Sequence, residues 1–205
     1  MKLYDSRRAP NPRCVRWVMA EKGIEDVEIV NIDIFQGGHK SPEYRAKFGF
    51  ATVPALELDD GTGITESVAI ARYLESRYPE PNLFGRTPEE TAVIEMWTRR
   101  VEMGLSTPCM LTVRFSHPAL AAIEPPDPDH AARQRTQAES MMKVLDRRLA
   151  DSEWIAADRI TMADIIAYTG LDFARMVKLE PDPGLANVIR WRDAMRARPA
   201  AQAGV

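Results

Sequence analysis

The sequence predicts an α/β unit followed by an all-helical one, on three observations. Residues 1–79 carry short apolar strands alternating with amphipathic helices in the order βαβ–α–ββα. Pro79, Pro81 and Pro88 then interrupt any regular helix, which marks 80–87 as a linker. From 88 to 205 only helical periodicity remains. The expected domains are therefore 1–79 and 88–205.

Bulk properties narrow the function class. A chain of 205 residues with 45% hydrophobic and 28% charged residues has the make-up of a soluble globular protein with a sizeable core. A net charge of −3 argues against a nucleic-acid partner, because phosphate binding draws on a basic surface. No apolar run reaches the roughly 20 residues that a membrane span requires, and the first ten residues lack the apolar core of a signal peptide. Cys14 and Cys109 are far apart and form no C-x-x-C pair, so a reducing, cytoplasmic setting is the simplest expectation. His39, His117 and His130 are too scattered for a zinc site, and no metal is expected.

Each element has its own local cause. Residues 2–5 read as a strand and 6–12 as a loop with two prolines. Asn11-Pro12 has the grammar of a helix start, with Asn as N-cap and Pro as the first helical residue. Val15, Val18 and Met19 share one face of that helix, and Gly23 ends it. Residues 27–32 are rich in Val and Ile and form the second strand. Strand, helix and strand in about 30 residues make a βαβ unit, whose strands pair in parallel. Ser41-Pro42-Glu43 opens a short helix that Gly49 closes. Asp59-Asp60-Gly61 is a turn between strands at 55–58 and 62–65, and a helix follows from Glu66.

The second half reads as helices at 89–115, with a kink at Pro108, then at 130–149 and 184–198. On the second of these, Met141, Val144, Leu145 and Leu149 form the apolar face. Between them, Thr161-Met-Ala-Asp164 has the form of a capping box, with Ile160 and Ile165 as its hydrophobic staple. The helix that starts there is nearly free of charge and is expected at the centre of its domain.

Three motifs now stand in order: V-P-A-L at 53–56, T-E-S-x-A-I at 65–70 and T-M-A-D-I at 161–165. At these separations, behind a βαβ unit and ahead of an all-helical half, they resemble the bacterial type of the cytosolic glutathione S-transferase family over essentially the whole chain. The resemblance implies a thioredoxin-like N-terminal domain, an all-α helical-bundle C-terminal domain, a homodimer and a site for glutathione as co-substrate on the first domain.

It also implies roles for particular residues. Pro54 would follow a cis bond, and Val53 would offer its backbone N–H and C=O to the cysteinyl part of glutathione. Taken without the resemblance, Val53-Pro54 is an ordinary trans pair at a strand start. Glu66 would receive the α-ammonium of the γ-glutamyl group and Ser67 its carboxylate, aided by the amides of the following helix. Ser67 also suits a plain helix cap. His39 and Lys40 fall where the family places a donor for the glycyl carboxylate, and either is equally at home in a solvated loop.

The first loop departs from the pattern. Many members carry a Ser, Cys or Tyr there to hold the thiolate, whereas the aligned position here is Ala9. The nearest polar side chain is Asn11, which becomes the candidate catalytic residue or serves only as the N-cap. A free thiol has a pKa near 8.5, and each unit of lowering requires about 1.4 kcal/mol. One hydrogen bond to a charged group is worth roughly 1.5–3 kcal/mol and a helix N-terminus about 0.3–1. Asn11 with the helix start can thus supply one to two units.

Other departures are Phe48-Gly49, where the family has Asn-Pro, and Thr52, where Lys or Gln is common; both lower the expected affinity for glutathione. Cys14 reads as a structural, half-buried thiol, and Arg13 and Arg16 as solvent-facing or interface charges. By the resemblance, Met96, Met103, Met110 and Phe115 are candidates for the electrophile pocket; by spacing alone they suit core or dimer interface. The expected activity is transfer of the glutathione thiol to a small hydrophobic electrophile, in detoxification. Glutathione-dependent reduction of disulfides or peroxides, and a non-catalytic binding module, are the alternatives.

Overall fold

Four short strands pair into one mixed sheet in the order β2-β1-β3-β4. In this computed structural model, which describes residues 1–203, they are β1 (Lys2–Asp5), β2 (Glu28–Asn31), β3 (Ala55–Glu57) and β4 (Gly63–Thr65). The last two residues of the expected 88–205 segment lie outside the described residues. β1 runs parallel to β2, as the βαβ reading requires, and antiparallel to β3, which pairs antiparallel with β4. Three helices complete this part: α1 (Pro10–Glu21), α2 (Pro42–Phe48) and α3 (Ser67–Arg77). The buried face of α1 includes the expected Val15, Val18 and Met19, and adds Cys14 and Trp17. Cys14 is 3% exposed, more enclosed than the expected half-burial. α2 begins where predicted: the Ser41 hydroxyl accepts the Tyr44 N–H at 3.1 Å. It ends on Gly49 at φ 75°, a left-handed conformation that glycine adopts without side-chain strain.

The chain divides into two compact units. Met1–Pro81 forms the first together with the chain from Pro199, and Asn82–Arg198 forms the second. Two segments therefore group differently from a division in simple chain order. Leu83 and Phe84, inside the expected linker, are buried in the second unit, where Arg159 donates to Asn82 Oδ1 at 2.7 Å. The turn at Pro199–Gln202 belongs with the first unit, where Arg13 Nη2 donates to the Ala201 carbonyl at 3.0 Å.

The second unit contains α4 (Pro88–Val101), α5 (Thr107–Ser116), α6 (Pro128–Arg148), α7 (Met162–Ala174) and α8 (Ala186–Ala197). Two expectations need correction. The helix expected to run unbroken over 89–115 is interrupted just before Pro108 by a π-helical turn over Glu102–Ser106. Proline has no N–H to return to the carbonyl four residues back, and the widened turn, closed by Thr107 N–H on Glu102 O, bridges that gap. Leu145 on α6 and Leu149 just beyond its end are buried as expected, but the helix completes its buried row with Ala131, Ala138 and Met142, while Val144 stays exposed. Two alanines carry half of that face, which a search for large apolar side chains passes over.

α7 is the buried centre that its composition predicts, with all ten residues from Met162 to Leu171 enclosed. Gly170 lets the π turn approach: a Cβ there would clash with Ser106, whose Cα would be 2.6 Å away. Asp164, fully buried, organises the helix start. Its Oδ2 accepts the Thr161 N–H and hydroxyl, both at 2.9 Å, so the acidic half of the capping box forms as predicted. Its Oδ1 accepts the Ile155 N–H and the Trp191 indole N–H, also at 2.9 Å. Burial pushes this carboxyl up, and the four donors act against burial.

Asp164→Asn keeps the shape but turns an NH2 towards two of those donors, whichever way the amide is oriented. It is expected to cost about 2–4 kcal/mol of stability, read from denaturant unfolding. A loss below about 0.5 kcal/mol would show that the donors find other partners.

Candidate functional site

The strand register decides which predicted residues meet. Ala55 is paired with Thr65 across β3 and β4, and with Tyr4 on β1, whose next residue, Asp5, is opposite Asn31 of β2. Val53-Pro54, just ahead of Ala55, and Glu66-Ser67, just after Thr65, therefore flank the same rung. The loop after Asp5 and the turn after Asn31 leave the sheet at that same end. All the sequence-predicted site residues belong to segments that converge there: Asn11, His39, Lys40, Val53, Pro54, Glu66 and Ser67. The depression bounded by Met1, Lys2, Glu28, Glu57 and Asp59 lies at the opposite end of the sheet.

A buried ion pair shapes the first loop. Asp5 is 3% exposed and the Arg16 side chain 10%, with Arg16 Nη1 donating to Asp5 Oδ1. Burial pushes the Asp5 carboxyl up, and the adjacent guanidinium opposes that shift. Arg16 Nη2 also donates to the Arg7 carbonyl at 2.7 Å, and Ala9 N–H donates to Ser6 O at 2.8 Å. Arg16 is thus an internal fastener of the loop, where a solvent-facing or interface charge was expected. The signal that could have found it is an Asp at the end of a strand, facing a helix that carries Arg in its second turn.

α1 starts two residues earlier than Asn11-Pro12 suggests. Ala9 is the N-cap and Pro10 the first helical residue, so Asn11 is not the cap but lies exposed in the first turn. Pro10 and Pro12 have no N–H, and the Arg13 N–H is engaged by the Ala9 carbonyl at 3.3 Å. Asn11 therefore brings both an amide side chain and the one remaining main-chain donor of that turn.

The Val53-Pro54 bond is cis. Val53 is half-buried against Tyr44, Phe48 and Ala55 and lies outside the register of β3. His39 and Lys40 form one short turn, Gly38–Lys40, yet differ: His39 is 9% exposed, whereas Lys40 is open to solvent. Glu66, not Ser67, is the N-cap of α3, and Ser67 is its first helical residue. Glu66 holds φ 69° and ψ 121° while exposed. Such a backbone costs a non-glycine residue about 1–3 kcal/mol and persists where the surroundings dictate it. No sequence signal marked this strain.

Two further facts bear on chemistry. Cys109 is fully buried, its thiol pushed up to about 12 by burial, so neither cysteine is exposed. Among the described residues no group of three or more His, Cys, Asp or Glu could hold a metal ion, and no helix is long and apolar enough to cross a membrane. Of the pocket candidates, Met96 and Met103 are exposed at 39% and 55%.

Comparison with known proteins gives a consistent result. The family description "Glutathione S-transferase, N-terminal domain" matches residues 3–82, and "Glutathione S-transferase, C-terminal domain" matches 109–199. The chain is 37% identical to Glutathione S-transferase 2 of Saccharomyces cerevisiae, over 98% of this chain and 87% of that protein. It is 35% identical to Glutathione S-transferase 3 of Zea mays, over 98% and 91%. Among solved structures, Gtt2 from Saccharomyces cerevisiae superposes with a TM-score of 0.92 at 35% identity, covering 100% of both chains. A glutathione S-transferase domain-containing protein from Marinobacter aquaeolei does so at 0.90 and 41%, over 98% of this chain and 99% of that one.

Arg16→Met tests the fastener. It leaves Asp5 buried without its counter-charge, and the folded-state pKa of Asp5 then rises further above its unfolded value. The stability of the folded state is then greatest below about pH 4 and falls as pH rises through the raised pKa. At pH 7 the expected loss is about 3 kcal/mol, shrinking towards pH 4, read from unfolding at both pH values. A loss independent of pH would remove the charge pair as its cause.

Proposed function

The chain belongs to the glutathione S-transferase family, and from that premise we propose that it binds glutathione at the shared sheet end and directs its thiolate at a small hydrophobic electrophile. The observation that carries the reading is the convergence of four segments, each with one of the chemical groups that the tripeptide requires. The Glu66 carboxylate takes the α-ammonium of the γ-glutamyl group. Its carboxylate is received by the Ser67 hydroxyl and by the free amides at the start of α3, where the helix field favours an anion. The main chain of Val53 pairs with the cysteinyl residue beside Pro54. Lys40, exposed, takes the glycyl carboxylate, and the buried His39 supports the turn that presents it.

In this reading the thiol lies at the start of α1. Asn11 donates to the sulfur through its side-chain amide, and its own N–H adds a second donor. The thiol proton leaves to solvent; the sulfur then forms a C–S bond to the electrophilic carbon as the leaving group departs with its electron pair. Both cysteines of the chain are buried, so the reacting thiol in this reading is that of glutathione and not one of the enzyme's own. The proposal extends to a homodimer in the cytoplasm acting in detoxification, as the family resemblance implies.

Two substitutions test it, with turnover of an aromatic halide and the ultraviolet absorbance of the bound thiolate as readouts. Asn11→Ala is expected to lower kcat about tenfold and to move the thiolate titration to higher pH. An unchanged titration would retire Asn11. Glu66→Gln is expected to weaken glutathione binding by about tenfold or more at little cost in kcat, because a charge-assisted contact is lost. Unchanged affinity would remove Glu66 from the site.

A further inference from the structure

Tyr44 is tied through its main chain to the residue that follows the 38–40 turn and through its side chain to the segment ahead of Pro54. Its N–H donates to the Ser41 hydroxyl at 3.1 Å, one residue after Lys40. Its ring is 5% exposed and packs against Phe48 and Tyr4, with centroids 4.8 and 6.0 Å away, and against Val53. Its phenol O–H donates to the Thr52 carbonyl at 2.6 Å. That carbonyl shares a peptide unit with the Val53 N–H.

A peptide unit is planar, and in its trans form the C=O and the N–H point in opposite directions. Holding the Thr52 oxygen inward therefore aims the Val53 N–H the other way, out of the Tyr44–Phe48 cluster. A carbonyl that accepts a hydrogen bond also polarises its own peptide, which strengthens the N–H as a donor. We infer that Tyr44 is a positioning residue for glutathione recognition: through Thr52 it sets the direction and strength of the Val53 amide that meets the cysteinyl carbonyl. The inference rests on the glutathione reading above and adds to it a residue that does not touch the ligand. Burial and the neighbouring Tyr4 push the phenol up to about 12, so it stays a donor over the whole working pH range.

A second tyrosine in the same cluster supplies the control. Tyr4 donates to Glu57 Oε2 at 2.7 Å and receives the Lys47 ammonium at 3.1 Å, with no bond to Thr52. Tyr4→Phe and Tyr44→Phe each remove one hydroxyl and keep the ring. The test measures calorimetric affinity for glutathione, KM and kcat, and the 15N–1H shift of the Val53 amide on glutathione addition.

For Tyr44→Phe the expected result is a fall in affinity of about three- to tenfold, as one neutral hydrogen bond is worth, with kcat within twofold. The Val53 amide shift on binding should also shrink. Tyr4→Phe is expected to leave affinity within twofold. An unchanged affinity in Tyr44→Phe overturns the inference, as does an equal loss in both variants, which would mark general loosening of the cluster. If the unsubstituted protein itself shows no saturable glutathione binding, the glutathione reading fails first, and that outcome is distinct from either.

Discussion

The first unit depends on a charge pair taken out of water. Asp5 closes β1 and Arg16 lies on α1, and their contact fixes how strand and helix cross with the loop between them. Burying two such ions costs several kcal/mol each, and their attraction seldom returns a large net gain. An apolar pair of equal volume would hold the crossing at least as firmly. What it could not do is reach the Arg7 carbonyl, as the second Arg16 nitrogen does. The polar solution fixes the loop backbone as well as the helix, and that loop leads into the turn carrying Asn11.

The same device recurs wherever the chain needs a fixed end. Asp164 gathers donors from Ile155, Thr161 and Trp191, joining the start of α7 to the preceding loop and to α8. Lys22, with no exposed side-chain surface, meets Glu75 at 2.6 Å and the carbonyls of Tyr78 and Pro81 at 2.8 Å. It closes the last turn of α3 and the segment that leaves the first unit. In each case one ionisable side chain satisfies several partners from separate segments, so removing it leaves several groups unpaired at once.

That pattern also explains what was legible in the sequence. Features with local causes could be read directly: the Ser41 cap with Gly49 behind it, the turn at 59–61, and the Thr161–Asp164 box. The parallel β1–β2 pair followed from the βαβ unit, and the β3–β4 pair, which brings Val53 and Glu66 to one rung, from the hairpin; the antiparallel β1–β3 pair that joins them had no local signal. Features with distant causes could not be read. Arg16 looked solvent-facing because its partner is eleven residues away on a strand. The start of α1 was misplaced because two prolines compete for the first position and only the backbone decides between them. The buried row of α6 slipped because alanines carry half of it. His39 looked like open loop because a short 3-10 turn buries it. The Tyr44–Thr52 bond had no sequence signal, being a single hydroxyl that reaches a main-chain oxygen across a turn.

The corrected start of α1 sharpens the question of thiol activation. A thiol at pKa 8.5 is only about 3% ionised at pH 7, and lowering it by one to two units raises that to roughly a quarter to three quarters. Helix starts ordinarily supply several free N–H groups to such an anion, but Pro10 and Pro12 remove two of them and Ala9 O takes the one at Arg13. The helix field alone is worth about 0.3–1 kcal/mol, less than one unit. A charge-assisted hydrogen bond is worth about 1.5–3 kcal/mol, which covers the remainder. With alanine where a hydroxyl or thiol would serve, the donors left in that turn are the Asn11 side chain and its N–H. Both are uncharged. In the proposed reaction they would stabilise the thiolate without pairing it to a cation, and a modest lowering preserves nucleophilicity, which falls as the pKa falls. Two prolines thus leave one residue with the donors of that turn, and the proposed chemistry stands or falls with Asn11.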